Sequence, residues 1–113
     1  MEANELRLGN LVEYLGDFKE VLGVDEETVF LKNTISINYI DLDEIYPILL
    51  TKGWLLNFGF NNNIFDFCFE IIDFYITENE SKFMFQSYLE IKHVHQLQNL
   101  YFALTNNELI FKS

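Results

Sequence analysis

Residues 93–104, HVHQLQNLYFAL, constrain this chain more than any other stretch. Val94, Leu97, Leu100, Tyr101 and Leu104 recur at helical spacing, so one face of a helix is apolar, while Gln96, Gln98 and Asn99 fall on the other side. Thr105-Asn106-Asn107 ends the helix, because asparagine tolerates the left-handed conformation of a C-terminal cap. A helix this short is marginal in isolation and needs a sheet to lie on. Leu109-Ile110-Phe111 then reads as a terminal strand, and the rest of the chain must supply the sheet.

The first forty residues supply short strands. Leu11–Leu15 leads to a turn at Gly16-Asp17, Lys19–Val24 to a turn at Asp25-Glu26-Glu27, and Thr28–Leu31 is rich in β-branched and aromatic residues. Ile35–Ile40 alternates apolar and polar positions. Four strands at this spacing predict a small, bent, SH3-like antiparallel sheet. Asp41–Glu44 predicts a single helical turn that Pro47 stops, since the residue before proline is pushed out of the helical region. Thr51 is an N-cap for a short helix over Lys52–Phe58, which Gly59 terminates, and Asn61-Asn62-Asn63 predicts a loop.

A long β-hairpin is expected next, with strands over Ile64–Thr77 and Lys82–Lys92 closed by Glu78-Asn79-Glu80-Ser81. Phe65, Phe67, Phe69 and Ile71 share one parity, and the apolar parity then switches to Ile72, Phe74 and Ile76. One extra residue at Ile71-Ile72 keeps both sets on one face, which predicts a β-bulge there. In the second strand Phe83, Phe85, Leu89 and Ile91 point inward. The architecture expected is α+β in a single domain over residues 1–113, with a barrel-like lobe at 1–50 and a helix-hairpin-helix-strand lobe at 51–113.

Charge limits the function. There are 18 Asp+Glu against 7 Lys+Arg, a net charge of −11, and Arg7 is the one arginine. Nucleic-acid binding needs cations to replace phosphate counterions, so direct nucleic-acid binding is not expected, nor is an anionic membrane surface. A basic protein partner fits. The 12 Phe and 6 Tyr exceed what so small a core hides, so some aromatics are expected on a contact surface. A single cysteine, Cys68, allows no internal disulfide, and the acidic N-terminal stretch does not resemble a signal peptide, so a cytoplasmic location is expected.

Catalytic constellations are weak. His93 and His95 would hold two metal positions at most, and a strand-to-helix junction accounts for them. Cys68 lies between Asp66 and Glu70, anions that raise a thiol pKa. No Gly-rich phosphate loop and no D-x-D-x-D-G calcium pattern occurs, and Asp41, Asp43 and Glu44 read as a surface turn. A non-enzymatic protein without cofactor or metal is expected. The feature left over is an acidic ribbon. No Lys or Arg occurs between Lys52 and Lys82, while Asp66, Glu70, Asp73, Glu78 and Glu80 accumulate beside Tyr75, Met84 and Tyr88. Carboxylates spaced among aromatics can imitate a phosphate backbone toward a basic groove, with the aromatics as anchors; the same pattern also suits an ordinary solvated sheet face.

Three patches carry a resemblance: Leu6-Arg7-Leu8-Gly9-Asn10, residues 47–60 (PILLTKGWLLNFGF), and residues 93–105 (HVHQLQNLYFALT) followed by Glu108-Leu109. Together they resemble a family of small proteins common in phages and prophages of the Bacteroidota. Asn106-Asn107 stands where that family usually has a glycine, which still suits a helix cap. The family has no established activity, so the resemblance transfers no catalytic residue. It implies a mobile-element origin, and small acidic phage proteins are often antagonists of host defence. The expectation is therefore a phage-type protein of the host cytosol that inhibits a basic nucleic-acid-handling enzyme. Its sharpest form is an anti-CRISPR inhibitor of an RNA-guided nuclease, acting as monomer or homodimer. A phage assembly module that forms homo-oligomers through sheet edges is the alternative, and a hydrolase with a carboxylate pair is a third.

Overall fold

Alternating burial along short strands builds two antiparallel sheets of five strands each, and one long helix lies between them; the fold is α+β. The computed structural model describes residues 1–33, 40–63, 68–71, 74–86 and 88–111.

The first sheet contains β1 (Leu11–Tyr14), β2 (Asp17–Val24), β3 (Thr28–Leu31), β4 (Ile40–Asp41) and β5 (Ile45–Tyr46) in the spatial order β4-β3-β2-β1-β5. A 3-10 turn over Leu42–Glu44 carries the chain from β4 to β5, which returns to pair with β1. A bent antiparallel sheet is expected here, and Ile45–Tyr46 adds a fifth strand to the four the sequence suggests. Leu15 and Gly16 join β1 to β2 with φ of 51° and 84°, the paired positive values whose twist suits a two-residue hairpin loop. The register of β2 against β3 shifts between Val21 and Gly23, which bends the sheet around Val12, Val21, Val29, Leu31, Ile40, Leu42 and Ile45. The strand expected over 35–40 falls largely outside the described residues, and β4 begins at Ile40.

The short helix α1 spans Lys52–Asn57, with Thr51 Oγ1 accepting from the Trp54 amide at 3.4 Å. Gly59 closes it at φ +93°, a conformation a side chain would strain. The second sheet is a meander of β6 (Asn61–Asn63), β7 (Cys68–Ile71), β8 (Phe74–Asn79), β9 (Lys82–Phe85) and β10 (Leu89–Glu90). Three details differ from the sequence reading. The asparagine run is an edge strand, not a loop, because its backbone pairs with β7 from Asn61 opposite Glu70 to Asn63 opposite Cys68. Ile64–Thr77 is not one bulged strand: Ile71 pairs with Phe74, so the chain reverses between them. Two paired residues share a face although three positions separate them, so a tight reversal switches apolar parity just as a bulge would. Lys82–Lys92 likewise reverses, with Leu89 opposite Phe85.

The helix α2 runs over Val94–Thr105 and ends at Asn106, whose φ of 59° and N–H to Phe102 O at 2.8 Å form the expected left-handed cap. Its entry is fixed by Val94 N donating to Ile48 O and Leu50 N donating to Lys92 O, each 2.8 Å. Val94, Leu97 and Tyr101 pack into the second core with Leu55, Phe58, Phe69, Phe74, Ile76 and Phe83. Leu109–Phe111 forms no strand; Leu109 and Phe111 instead deliver side chains to that core. Leu97 is fully enclosed, so Leu97→Ala should cost about 2–5 kcal/mol of unfolding free energy, measured by urea denaturation. A cost below about 1 kcal/mol would show that α2 does not carry this core.

Candidate partner-binding surfaces

The polar side of α2 is only partly solvated: Gln96 is exposed and Asn99 half-buried. His95 and Gln98 are buried, because the helix meets the first sheet on the side opposite its own core. Gln98 Oε1 accepts from the Leu11 amide at 2.8 Å, and its Nε2 donates to Gly9 O at 3.1 Å. Buried Asn10 donates through Nδ2 to Asn99 Oδ1 at 2.8 Å, and accepts at Oδ1 from the Arg7 amide at 2.7 Å. Asn99 Nδ2 donates to Glu5 O at 3.1 Å. Arg7 stacks over Phe102, 4.1 Å from the ring centroid, and grips Glu108 with both guanidinium ends at 2.6 and 2.9 Å. The hydrogen bond from Glu108 is the main cause raising the Arg7 pKa above its ordinary value. Both partners are partly exposed, so water screening holds the pair to about 1 kcal/mol or less. Arg7, Gly9, Asn10, Gln98, Asn99 and Glu108 thus form a polar lock between α2 and the first sheet.

His93 and His95 stack with ring centroids 5.9 Å apart. His93 is the N-cap of α2, with Gln96 Oε1 accepting from its amide at 3.0 Å. His95 Nε2 lies 3.8 Å from Glu5 Oε1, and Nδ1 is buried without a hydrogen-bond partner. Burial lowers the His95 pKa, against a smaller raising effect of Glu5; His93 lowers it further. Among the described residues no group of three His, Cys, Asp or Glu could hold a metal ion.

The acidic ribbon divides between faces. Asp66 and Asp73 lie outside the described residues. Glu70 pairs directly with Tyr75, so both side chains share the face turned away from the core. Met84 stands on that face opposite Thr77, and its other neighbour is Glu90, a carboxylate not among the residues expected from the sequence. Glu78 is different: it pairs with buried Phe83, shares the inner face, and reaches Lys52 at 3.8 Å. Glu80 occupies the tip of the β8–β9 hairpin at φ 52°. Tyr88 sits in the turn before β10, 77% exposed, and donates its hydroxyl to Gln86 Oε1 at 2.8 Å. The outer face therefore joins Glu70, Tyr75, Met84 and Glu90, and Glu80 and Tyr88 lie at its turns.

Concavities also occur among the described residues. A cleft of about 450 Å³ between the first sheet and the C-terminal segment is lined by Phe18, Phe58 and Phe111 with Lys19, Lys32, Glu20 and Glu108. A second, of about 400 Å³, gathers Glu2, Glu26, Glu27, Asp41 and Asp43 beside the 3-10 turn. No described helix is long and apolar enough to cross a membrane. The chain matches no family model, no curated protein and no solved structure.

The pH dependence follows from His95. Its folded-state pKa lies below the unfolded value near 6.5, so the unfolded chain takes up a proton first as pH falls. The stability due to burying the neutral ring is complete above about pH 6.5 and declines below it. Urea midpoints measured between pH 7.5 and 5.5 should fall, and His95→Gln should flatten that slope. An equal slope in the variant would assign it to other groups.

Proposed function

We propose that this chain is a non-enzymatic binding protein that uses an acidic, aromatic-bearing sheet face to engage a basic, nucleic-acid-handling enzyme and block it. The observation that carries the reading is the outer face of β7–β10. Glu70 and Glu90 flank Tyr75 and Met84 there, so carboxylates surround side chains able to supply apolar anchoring. With a net charge of −11, such a face is drawn to a cationic channel, and charge complementarity raises the association rate as well as selecting the partner. The resemblance to phage and prophage proteins supports the sharper form, inhibition of an RNA-guided nuclease in the host cytosol.

Target cleavage by purified RNA-guided effectors, DNA-targeting and RNA-targeting, tests this with and without the protein. Inhibition at near-stoichiometric dose is expected, with the double variant Glu70→Lys/Glu90→Lys losing at least about tenfold in potency while its circular dichroism melt is unchanged. Full inhibition by the double variant would remove this face from the mechanism. A second reading, a phage assembly module, is favoured by the edge strand Asn61–Asn63, whose outer backbone is a ready template for pairing. Light scattering after size exclusion separates the two: a discrete oligomer larger than a dimer that persists on dilution supports assembly, and a monomer or dimer is consistent with the inhibitor.

A further inference from the structure

We infer that the first sheet carries a receptor for an arginine side chain, formed by Glu13 between Phe18 and Tyr46. Glu13 on β1 pairs with Phe18 on β2 at one side and with Tyr46 on β5 at the other. Directly paired residues point to the same face, so the three side chains stand in one rank across three strands. All three are exposed, Phe18 at 48% and Tyr46 at 59%. Neighbouring strands lie about 4.8 Å apart, which places the backbones of the two aromatic residues roughly 10 Å from each other with Glu13 on the strand between. A planar cation fits between and over such rings.

The rank is held in place before any partner arrives. Phe18 contacts Trp54 and Phe111 edge-on, each with ring centroids 5.2 Å apart. Tyr46 precedes Pro47, which confines its backbone to the extended region. The Glu13 side chain makes no hydrogen bond or ion pair with the described residues, so its carboxylate remains available. Glu20 stands on the same face one rank along, opposite Leu11, where Lys32 lies beside it in the cleft, so Glu13 is the carboxylate left for a cation.

The chemistry selects the occupant. An anion is repelled by Glu13, and a purely apolar group would cover Glu13 without a partner, a costly burial. A cation satisfies the carboxylate and gains from both ring faces. Guanidinium does this better than ammonium, because it is planar, stacks on aromatic rings and can offer two parallel N–H groups to one carboxylate. This surface belongs to the other sheet from the one proposed above and does not require the partner to be an enzyme.

A tri-arginine peptide, with tri-lysine as its matched control, tests the inference by backbone amide NMR shifts and by fluorescence of Trp54, the one tryptophan of the chain. Saturable shifts centred on residues 13, 18 and 46 are expected, with tri-arginine binding more tightly than tri-lysine. Glu13→Gln should weaken tri-arginine by about tenfold and Tyr46→Ala by about threefold, while Glu26→Gln, an equal charge loss at the far turn, should change it less than about twofold. Equal weakening by Glu13→Gln and Glu26→Gln, or equal affinity for the two peptides, would reduce the binding to diffuse charge attraction and overturn the receptor. Glu70→Lys/Glu90→Lys should leave tri-arginine binding in place, so loss of enzyme inhibition and loss of this site are read separately.

Discussion

The interaction on which the structure depends is the grip of Gln98 on β1. Leu11 and Val12 are neighbours in one strand, yet Leu11 belongs to the core beneath α2 and Val12 to the core of the bent sheet. A strand placed between two cores must still satisfy its backbone. At the entry to β1 the ladder is incomplete, and Gln98 completes it by accepting from Leu11 N and donating to Gly9 O. An apolar residue at position 98 would leave both backbone groups without these partners in a buried place, at roughly 1–3 kcal/mol each. Asn10, Asn99 and Arg7 extend the same lock outward to Glu108, so two sheets with separate cores are held at one orientation by directional bonds.

Elements governed by local rules were legible in the sequence. Thr51 caps α1, Gly59 and Asn106 end their helices through positive φ, and Thr28–Leu31 is a strand at the expected bounds. What escaped reading was decided by neighbours distant in sequence. Gln98 and His95 occupy helix positions that hydropathy assigns to water, and only the arrival of β1 on that side buries them. The parity switch at Ile71-Ile72 was seen, but parity cannot distinguish a bulge from a reversal; the pairing of Ile71 with Phe74 decides it. That same reversal brings Glu70 opposite Tyr75, so the outer face includes Glu70, Tyr75 and Met84 of the residues named from sequence, for a different geometric reason. Glu90 joins through Met84, a cross-strand relation that no spacing along the chain announces.

Charge is distributed by the same logic. Arg7 is engaged by Glu108, and Lys52 lies near Glu78, which shares the face of Phe83. These two cations are thus drawn toward the joints of the fold, while Lys32, Lys82 and Lys92 are exposed. Carboxylates such as Glu13, Glu26, Glu27, Asp41 and Asp43 stand exposed on the first sheet and its turns. A field built this way is outward and uncompensated, and it acts on any approaching protein before contact.

Long-range attraction and local recognition ask different things of a surface. Attraction needs only net charge, and salt screens it beyond about 10 Å at ordinary ionic strength. Recognition needs a carboxylate held where a cation can also reach an aromatic ring, because the ring contribution survives salt better than the charge does. The Phe18–Glu13–Tyr46 rank meets the second requirement through strand pairing alone: antiparallel register puts three unlike side chains side by side, and packing on Trp54 and Phe111 limits the motion of one ring. The aromatic excess of the chain therefore has two destinations, the core beneath α2 and the exposed ranks of the sheets, and an acidic residue beside an exposed ring makes that ring selective for cations.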